Sequence, residues 1–352
     1  MPRVGTLDID SLLANSTAFQ TIASFGVEEF AQAVQNDLTV HDANLRDALG
    51  EIALVTTERL WASSGTDSME MFEADEYSRV PTQRITAGYN FGAPLRKRAI
   101  AVGWTHEYFR RKTVSEFAAQ LSAARRAHVA MLYRDLRRSI YLSANYTFAE
   151  RLADPLINIP VKRLYNADSL PVPTGPNGET FDGATHTHYL ANATLTGAVA
   201  TSLVNTVLEH RVTGGIRVVV AQADRSAWEG LTGFFKPYPD PRVQYLATDV
   251  NRQTISIDRM NNLAIGTLGA AEVWVKPWGI ANYPLAYDVA GPKPLVFRTR
   301  ENDLMLETAA ENDAFPLHAQ FLESHYGFAV RNRGAAAILY VGGGSYVDPT
   351  IS

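Results

Sequence analysis

The sequence predicts an α+β fold in a chain of 352 residues, which is long enough for about two domains. Residues 113–143 contain no glycine or proline and place apolar side chains at spacings of three and four, which predicts one long helix. Residues 67–105 consist of two extended stretches around a turn-rich segment. Beyond residue 185 helical and strand-like patterns mix. Together these three patterns indicate an α+β architecture.

Composition narrows the possible function classes. Hydrophobic residues make up 46% of the chain and charged residues 20%, which is ordinary globular usage and argues against bulk disorder. The absence of cysteine excludes disulfides, thiolate metal sites and a thiol nucleophile. No stretch approaches the roughly 18 consecutive apolar residues that a membrane span needs, so we predict no membrane partner.

Charge is distributed unevenly along the chain, although the net charge is only −5. Residues 1–75 hold three basic and thirteen acidic residues, a net charge of −10. Residues 96–138 hold eleven basic and three acidic residues, a net charge of +8. Neighbouring stretches of opposite sign suggest complementary surfaces that meet, either within one chain or between copies.

The N-terminal third is predicted to contain an arm, helices and a long hairpin. Residues 1–25 have weak periodicity and are predicted to form an extended arm, and residues 27–60 have helical spacing that Gly50 weakens. The runs SMEMFEADEYSRV and APLRKRAIAVGWT are predicted as the two arms of the hairpin. Neither arm has a continuous apolar face, and an isolated two-stranded hairpin is marginally stable, so we expect it to lie on another surface.

The long helix has a clear predicted start. Thr113 and Glu116 form a T-x-x-E capping box just before the apolar run. At about 1.5 Å per residue, residues 113–143 would span roughly 45 Å. His128 interrupts the apolar face and is interpreted as a structural core histidine, and His106 with Glu107 is interpreted as structural too.

The remainder of the chain is predicted to mix helices and strands. Proline-rich residues 153–190 mark a domain transition. The run TLTGAVATSLVNTVLEHRVTGG is predicted to form an amphipathic helix, and IRVVVA and AEVWVKPW are predicted to form strands. The last segment is predicted as a hairpin, in which FPLHAQFLESHYGFAVRN is one strand and AAAILYVGG is the other.

This order of parts resembles the major capsid proteins of tailed bacteriophages of the Hong Kong 97 type. The stretches AGYNFGAPLRKRAIAVGWT and FPLHAQFLESHYGFAVRNRGAAAILYV carry the resemblance most clearly. The resemblance implies a Hong Kong 97-like fold with an N-terminal arm and helices, an extended loop, a peripheral domain with a long spine helix, an axial domain, and a return to the peripheral domain. On this chain these parts are residues 1–66, 67–105, 106–184, 185–305 and 306–352.

The resemblance also implies a function. Members of this family assemble as hexamers and pentamers into an icosahedral shell around double-stranded DNA, which places the protein in the virion capsid after assembly in the host cytoplasm. Scaffolding, portal and decoration proteins are further partners, and packaged DNA would touch the inner face nonspecifically. Two alternatives remain open: an encapsulin-type nanocompartment shell, which shares the fold, and a soluble α/β enzyme without a readable motif.

No catalytic residue, cofactor or metal site is predicted. The sequence contains no G-x-S-x-G elbow, P-loop or H-E-x-x-H motif. His186 and His188 could share a metal ion, but no further ligand has a convincing spacing. The candidate functional residues are contacts between the acidic N-terminal region of one copy and the basic loop or spine of its neighbour: Glu28, Glu29, Asp37, Arg96, Lys97 and Arg98.

Overall fold

The computed structural model describes residues 19–63, 71–77, 79–83, 88–105, 110–210, 215–236, 263–300, 307–312 and 317–351. The predicted arm before residue 19 and the pair His106–Glu107 lie outside these ranges. The α-helices are α1 (Ile22–Phe25), α2 (Val27–Gly50), α3 (Val114–Tyr141), α4 (Gly197–Leu208) and α5 (Arg225–Glu229). The strands are β1 (Ala53–Thr56), β2 (Leu60–Ala62), β3 (Asn90–Gly92), β4 (Arg96–Thr105), β5 (Tyr146–Ala149), β6 (Asn158–Val161), β7 (Tyr189–Asn192), β8 (Ile216–Val220), β9 (Phe234–Phe235), β10 (Leu263–Leu268), β11 (Ala271–Val275), β12 (Leu285–Asp288), β13 (Leu295–Thr299), β14 (Glu307–Asn312), β15 (Leu317–Val330) and β16 (Ala336–Val341).

The predicted long helix is confirmed, because α3 runs from Val114 to Tyr141. Both halves of the capping box are present. Thr113 Oγ1 accepts a hydrogen bond from the backbone N–H of Glu116 at 3.4 Å, and the Glu116 carboxylate accepts one from the backbone N–H of Thr113 at 3.0 Å. The helix ends where Leu142 adopts an extended conformation.

The N-terminal helix ends at the glycine that weakens its predicted pattern. α2 is continuous to Gly50, and strand β1 begins at Ala53, so the prediction of helix through residue 60 is wrong beyond Gly50. Glycine is about 1 kcal/mol less favourable than alanine inside a helix. The β-branched residues Val55 and Thr56 favour a strand, and β1 pairs in parallel with β13.

One sheet is organised around β15. Its strand order is β1–β13–β15–β14, and β4 also pairs with β15. The end of β15 near Val330 pairs antiparallel with β13. The rest pairs with β4 from Leu317, opposite Thr105, to Tyr326, opposite Arg96, and also pairs with β14. This single strand therefore links the core of the sheet to the extended pair that it forms with β4.

The second arm of the predicted hairpin is a strand, but its partner differs from the prediction. β4 lies against β15, whereas the described residues of the first arm, 71–77, 79 and 80, have no regular secondary structure. The predicted pairing of the two arms is therefore wrong for this part of the chain. The first arm carries three carboxylates between residues 73 and 76, a composition that disfavours strands, while β15 is rich in aromatic and aliphatic residues.

The second sheet has the order β7–β16–β12–β8–β11–β10–β9. Successive residues of β8 point to opposite faces. Val219 joins the core that contains α3, while Val218 and Val220 join the core beneath α4. Because both faces are covered, the predicted strand IRVVVA is apolar without alternation.

The predicted terminal hairpin is wrong, because its two strands belong to different sheets. β15 is in the first sheet, whereas β16 pairs with β12 and β7 in the second. Between them, the buried guanidinium of Arg333 donates hydrogen bonds to the carbonyl oxygens of Arg163 and Leu164 and to the carboxylate of Asp168, at 2.7, 3.3 and 2.9 Å. These contacts fix the point at which the chain crosses from one sheet to the other.

The central core is formed where the C-terminal half of α3 meets both sheets. Leu132, Leu136 and Ile140 are almost completely buried and contact apolar residues from both sheets and from the end of α2. Each such side chain stabilises the fold by about 2–5 kcal/mol relative to alanine. Within the described ranges, no helix combines the length and the apolar character needed to cross a bilayer.

A buried ion pair connects β13 to the segment that follows β5. Arg298 Nη1 donates a hydrogen bond to Glu150 Oε2 at 2.7 Å and another to the carbonyl oxygen of Ala93 at 2.8 Å. The two charged side chains are 5% and 0% exposed. A charge that is buried this deeply is stable only while its partner is present.

We therefore expect Glu150→Ala to lower the free energy of unfolding by about 3–5 kcal/mol, because it leaves the Arg298 charge buried without its carboxylate. Urea unfolding of the unassembled protein measures this change. Glu58→Ala is the matched control, since Glu58 pairs with Arg331 at 3.3 Å on the surface, and it should change the same quantity by less than about 1 kcal/mol. Equal effects of the two substitutions would contradict this assignment.

His128 lies on the buried face of α3, where a structural histidine was predicted. Its Nε2 lies 3.3 Å from Ser324 Oγ, and its Nδ1 lies 3.2 Å from Nε2 of His41. Burial, with a smaller effect from His41, lowers the pKa of His128 from 6.5 to about 4. The ring is therefore neutral in the folded protein at pH 7.

This pKa predicts that stability falls as the pH falls. Below pH 6.5 the unfolded chain binds a proton at His128, while the folded chain does not do so until about pH 4, so the stabilisation present above pH 6.5 is lost in this interval. Between pH values of about 7.5 and 5, the loss from this residue is roughly 2 kcal/mol. Urea unfolding measures the free energy of unfolding at both pH values. The change between them should be smaller by this amount in His128→Gln than in the wild-type protein, and an equal change in both proteins would refute the prediction.

Candidate assembly surfaces

Large apolar side chains are exposed in the segment between β2 and β3. Met71 is fully exposed and Tyr77 is 90% exposed, and Phe72 and Val80 are also open to solvent. The described residues 71–77 and 79–83 have no helix or strand that would bury these side chains. Single exposed apolar residues are common on proteins, and we interpret four of them within ten residues as a candidate contact surface.

The acidic and basic stretches of the sequence meet within one chain at Asp37. Arg125, on α3, donates a hydrogen bond from Nη1 to Asp37 Oδ1, on α2, at 2.6 Å. The Asp37 side chain is only 6% exposed. This ion pair holds α2 against the N-terminal half of α3, where their apolar residues form a separate small core.

Two of the three predicted basic contact residues on β4 also have partners within the chain. Arg98 pairs with Asp135 of α3 at 3.0 Å, and Lys97 forms an ion pair with Glu323 of β15. Lys97 nevertheless keeps 47% of its side chain exposed. The third residue, Arg96, is exposed, and its guanidinium stacks on the ring of Phe148 at 4.6 Å.

The predicted acidic residues Glu28 and Glu29 lie on the first turn of α2, and their side chains are outside the described part of the structure. The role of the six candidate residues between subunits stays a prediction.

A basic cleft of about 600 Å³ opens beside β4, between the end of α3 and β15. Arg96 and Arg138 line this cleft and are exposed, while Arg98 is neutralised by Asp135. The Arg138 guanidinium has a long contact of 3.4 Å with the carbonyl oxygen of Ile351. The side chains that line the cleft therefore carry a net positive charge.

A cluster of ionisable side chains surrounds Glu51 at the end of α2. Its carboxylate accepts hydrogen bonds from Lys276 at 2.7 Å and from Arg217 and Tyr287. Burial alone would raise the pKa of Glu51, but these hydrogen bonds more than offset burial, so the pKa lies below its ordinary value. Because Glu51 is bound by three donors from the second sheet, we interpret the cluster as an anchor that ties α2 to that sheet.

The structure brings further metal-ligand residues to the two histidines that the sequence singled out. Glu209 and His210, at the end of α4, lie beside His186 and His188. Burial is the main cause that holds the pKa of His188 well below 6.5. Sequence reasoning missed the second pair because it is more than 20 residues away and only the packing of α4 near β7 brings the pairs together.

No protein-family model matches the sequence, and no curated protein matches it either. Among solved structures, the chain is similar to a chain from Mycobacterium phage Patience, with a TM-score of 0.68 and 18% sequence identity, over 99% of this chain and 96% of that one.

Two further matches are weaker. The capsid of the native GTA particle gives a TM-score of 0.46 at 12% identity, over 84% of this chain and 90% of that one. The holo-SrpI encapsulin complex from Synechococcus elongatus PCC 7942 gives 0.44 at 10% identity, over 87% and 90%. The match to the chain from Mycobacterium phage Patience covers nearly the whole chain at a TM-score of 0.68. The protein therefore has the predicted α+β, Hong Kong 97-like fold.

Proposed function

We propose that this chain is a major capsid protein of a tailed bacteriophage, which self-assembles as hexamers and pentamers into an icosahedral shell around double-stranded DNA. Its role is structural, not enzymatic, and its location is the virion capsid. The observation that carries the proposal is the fold shared with a protein of Mycobacterium phage Patience over 99% of this chain.

The exposed apolar segment supports the proposal. Met71, Phe72, Tyr77 and Val80 lie on a stretch without its own secondary structure. Burial of such side chains against another copy would contribute about 25 cal/mol for each Å² of apolar surface removed from water. Obligate interfaces between subunits commonly bury about 2,000–5,000 Å² in total, which a shell subunit reaches by contacting several neighbours.

Charge supports a more specific contact. We assign the contact with a neighbouring copy mainly to Arg96 and Lys97, which remain exposed on β4. Their proposed partners are Glu28 and Glu29 on the first turn of the neighbour's α2. Asp37 and Arg98, which are paired with residues of α3, position α2 and β4 for this contact.

The proposal predicts that the full-length chain forms closed shells or rings of five or six copies when it is expressed alone or with its scaffolding protein. Negative-stain electron microscopy of the purified protein checks this expectation. A monomer or small oligomer under both conditions would contradict it and favour the soluble-enzyme alternative. Shells isolated from infected cells should contain double-stranded DNA, and shells that contain a protein cargo instead would favour the nanocompartment alternative.

We expect the double substitution Arg96→Glu and Lys97→Glu to reduce the yield of assembled particles at least tenfold, because like charges would then face each other across the contact. Sedimentation of the assembly reaction measures the yield. Lys236→Glu is the matched control, since Lys236 is an exposed lysine that also pairs with a glutamate of its own chain, at 2.8 Å. If the double variant keeps its urea-unfolding midpoint and assembles with the same yield as the control, the proposed contact of Arg96 and Lys97 with a neighbouring copy is wrong. That result would leave the proposed shell function unaffected.

A further inference from the structure

Three histidines from two separate segments bring their ring nitrogens together. His186 and His188 precede β7, and His210 follows α4 directly after Glu209. The Nε2 atom of His186 lies 2.9 Å from Nε2 of His210 and 3.1 Å from Nε2 of His188. Glu209 Oε1 lies 3.8 Å from the Nε2 atoms of His186 and His210 and 4.0 Å from that of His188.

The fold sets the tautomer of His188. Its Nδ1 lies 2.6 Å from the carbonyl oxygen of Ala336 on β16. A carbonyl oxygen only accepts hydrogen bonds, so Nδ1 carries the proton. Because the ring is fully buried, it is neutral, and its Nε2 lone pair faces Nε2 of His186. A histidine that binds a metal ion through one ring nitrogen usually donates a hydrogen bond from the other nitrogen, often to a backbone carbonyl.

His186 Nε2 can make a hydrogen bond with only one of the two ring nitrogens that it contacts. A neutral imidazole nitrogen offers either one proton or one lone pair, yet His186 Nε2 contacts two other Nε2 atoms. If His186 Nε2 carries a proton, it can donate a hydrogen bond to only one of the two neighbouring Nε2 atoms. Without a proton it faces the lone pair of His188. A cation between the rings removes this conflict, because it accepts a lone pair from each nitrogen.

We propose that His186, His188, His210 and Glu209 bind one divalent transition-metal ion, with Zn²⁺ as the ion that this set of ligands suits best. Zinc–nitrogen bonds of about 2.0–2.1 Å place the nitrogens of a tetrahedral site roughly 3.3–3.4 Å apart. The separations of 2.9 and 3.1 Å are within a few tenths of an ångström of that value. The four ligand atoms all lie within 4.8 Å of one another, so the most distant of them must close by up to about 1.5 Å to complete the site.

The surroundings suit a structural metal site. The ring of Phe181 lies 4.7 and 4.5 Å from the rings of His186 and His210, which restricts their orientation. The nearby cation Arg333 is paired with Asp168 at 2.9 Å, so its charge is largely neutralised. Glu209 is one-third exposed, which gives an ion access from solvent. With four protein ligands the site is closed, and the metal would fasten the segment before β7 to the end of α4.

The test uses the full-length protein without a polyhistidine tag. The protein is stripped with a chelator, reloaded with an equimolar amount of Zn²⁺ and desalted, and its zinc content is measured by mass spectrometry. We expect about one zinc per chain in the wild-type protein and less than about 0.2 in His186→Gln. His41→Gln is the matched control, because His41 also contacts a second histidine ring at 3.2 Å but is in no group of three or more potential metal ligands among the residues that the structure describes; it should retain about one zinc.

Two measurements keep the proposal falsifiable if His186→Gln fails to fold. Glu209→Gln changes a partly exposed side chain, and it should weaken zinc binding at least tenfold in competition with a chromophoric chelator. X-ray absorption of the wild-type zinc protein should show three imidazole nitrogens and one oxygen at about 2.0–2.1 Å. Less than about 0.1 zinc per wild-type chain, equal zinc content in His186→Gln and His41→Gln, or a spectrum without imidazole would each overturn the proposal. None of these outcomes depends on whether the chain forms a shell.

Discussion

The burial of the C-terminal half of α3 between the two sheets is the interaction on which the rest of the structure depends. Leu132, Leu136 and Ile140 fill the space between strands of both sheets and the end of α2. The glycine-free and proline-free run that follows Thr113 keeps the helix rigid as it leaves this core. The N-terminal half of α3 therefore extends beyond the central core, where it is covered by α2 and by Leu322 of β15.

β15 has a corresponding division along its length. The end near Val330 belongs to the central core, while the part before it pairs with β4 and β14. A chain built in this way has a stable centre and elements that extend from it with little core of their own. The exposed apolar residues of the segment 71–83 have the same character. In the proposed shell, contact with other copies would give these elements the burial that a single chain does not provide.

Local patterns in the sequence predicted the elements whose stability is local. The capping box at Thr113 placed the start of α3, and the apolar run IRVVVA placed β8. Strand partners were not predictable in the same way. The sequence of β4 is compatible with pairing to any adjacent extended segment, and its partner in the structure is β15 of the first sheet. The crossing of the chain at Arg333 depends on the carbonyl oxygens of Arg163 and Leu164 and on the carboxylate of Asp168, which no local pattern reveals. The H-x-H sequence indicated His186 and His188 as potential metal ligands. Glu209 and His210 could be added only once the position of α4 was known.

The proposed shell function requires a neighbouring copy to cover the exposed apolar residues of the segment between β2 and β3. Hydroxyl-radical footprinting of Met71 and Tyr77 in free subunits and in assembled particles measures this directly. We predict that oxidation of both residues falls at least fivefold on assembly, while the buried Tyr141 remains unlabelled in both forms. Equal oxidation of Met71 and Tyr77 in the free and assembled states would contradict the account.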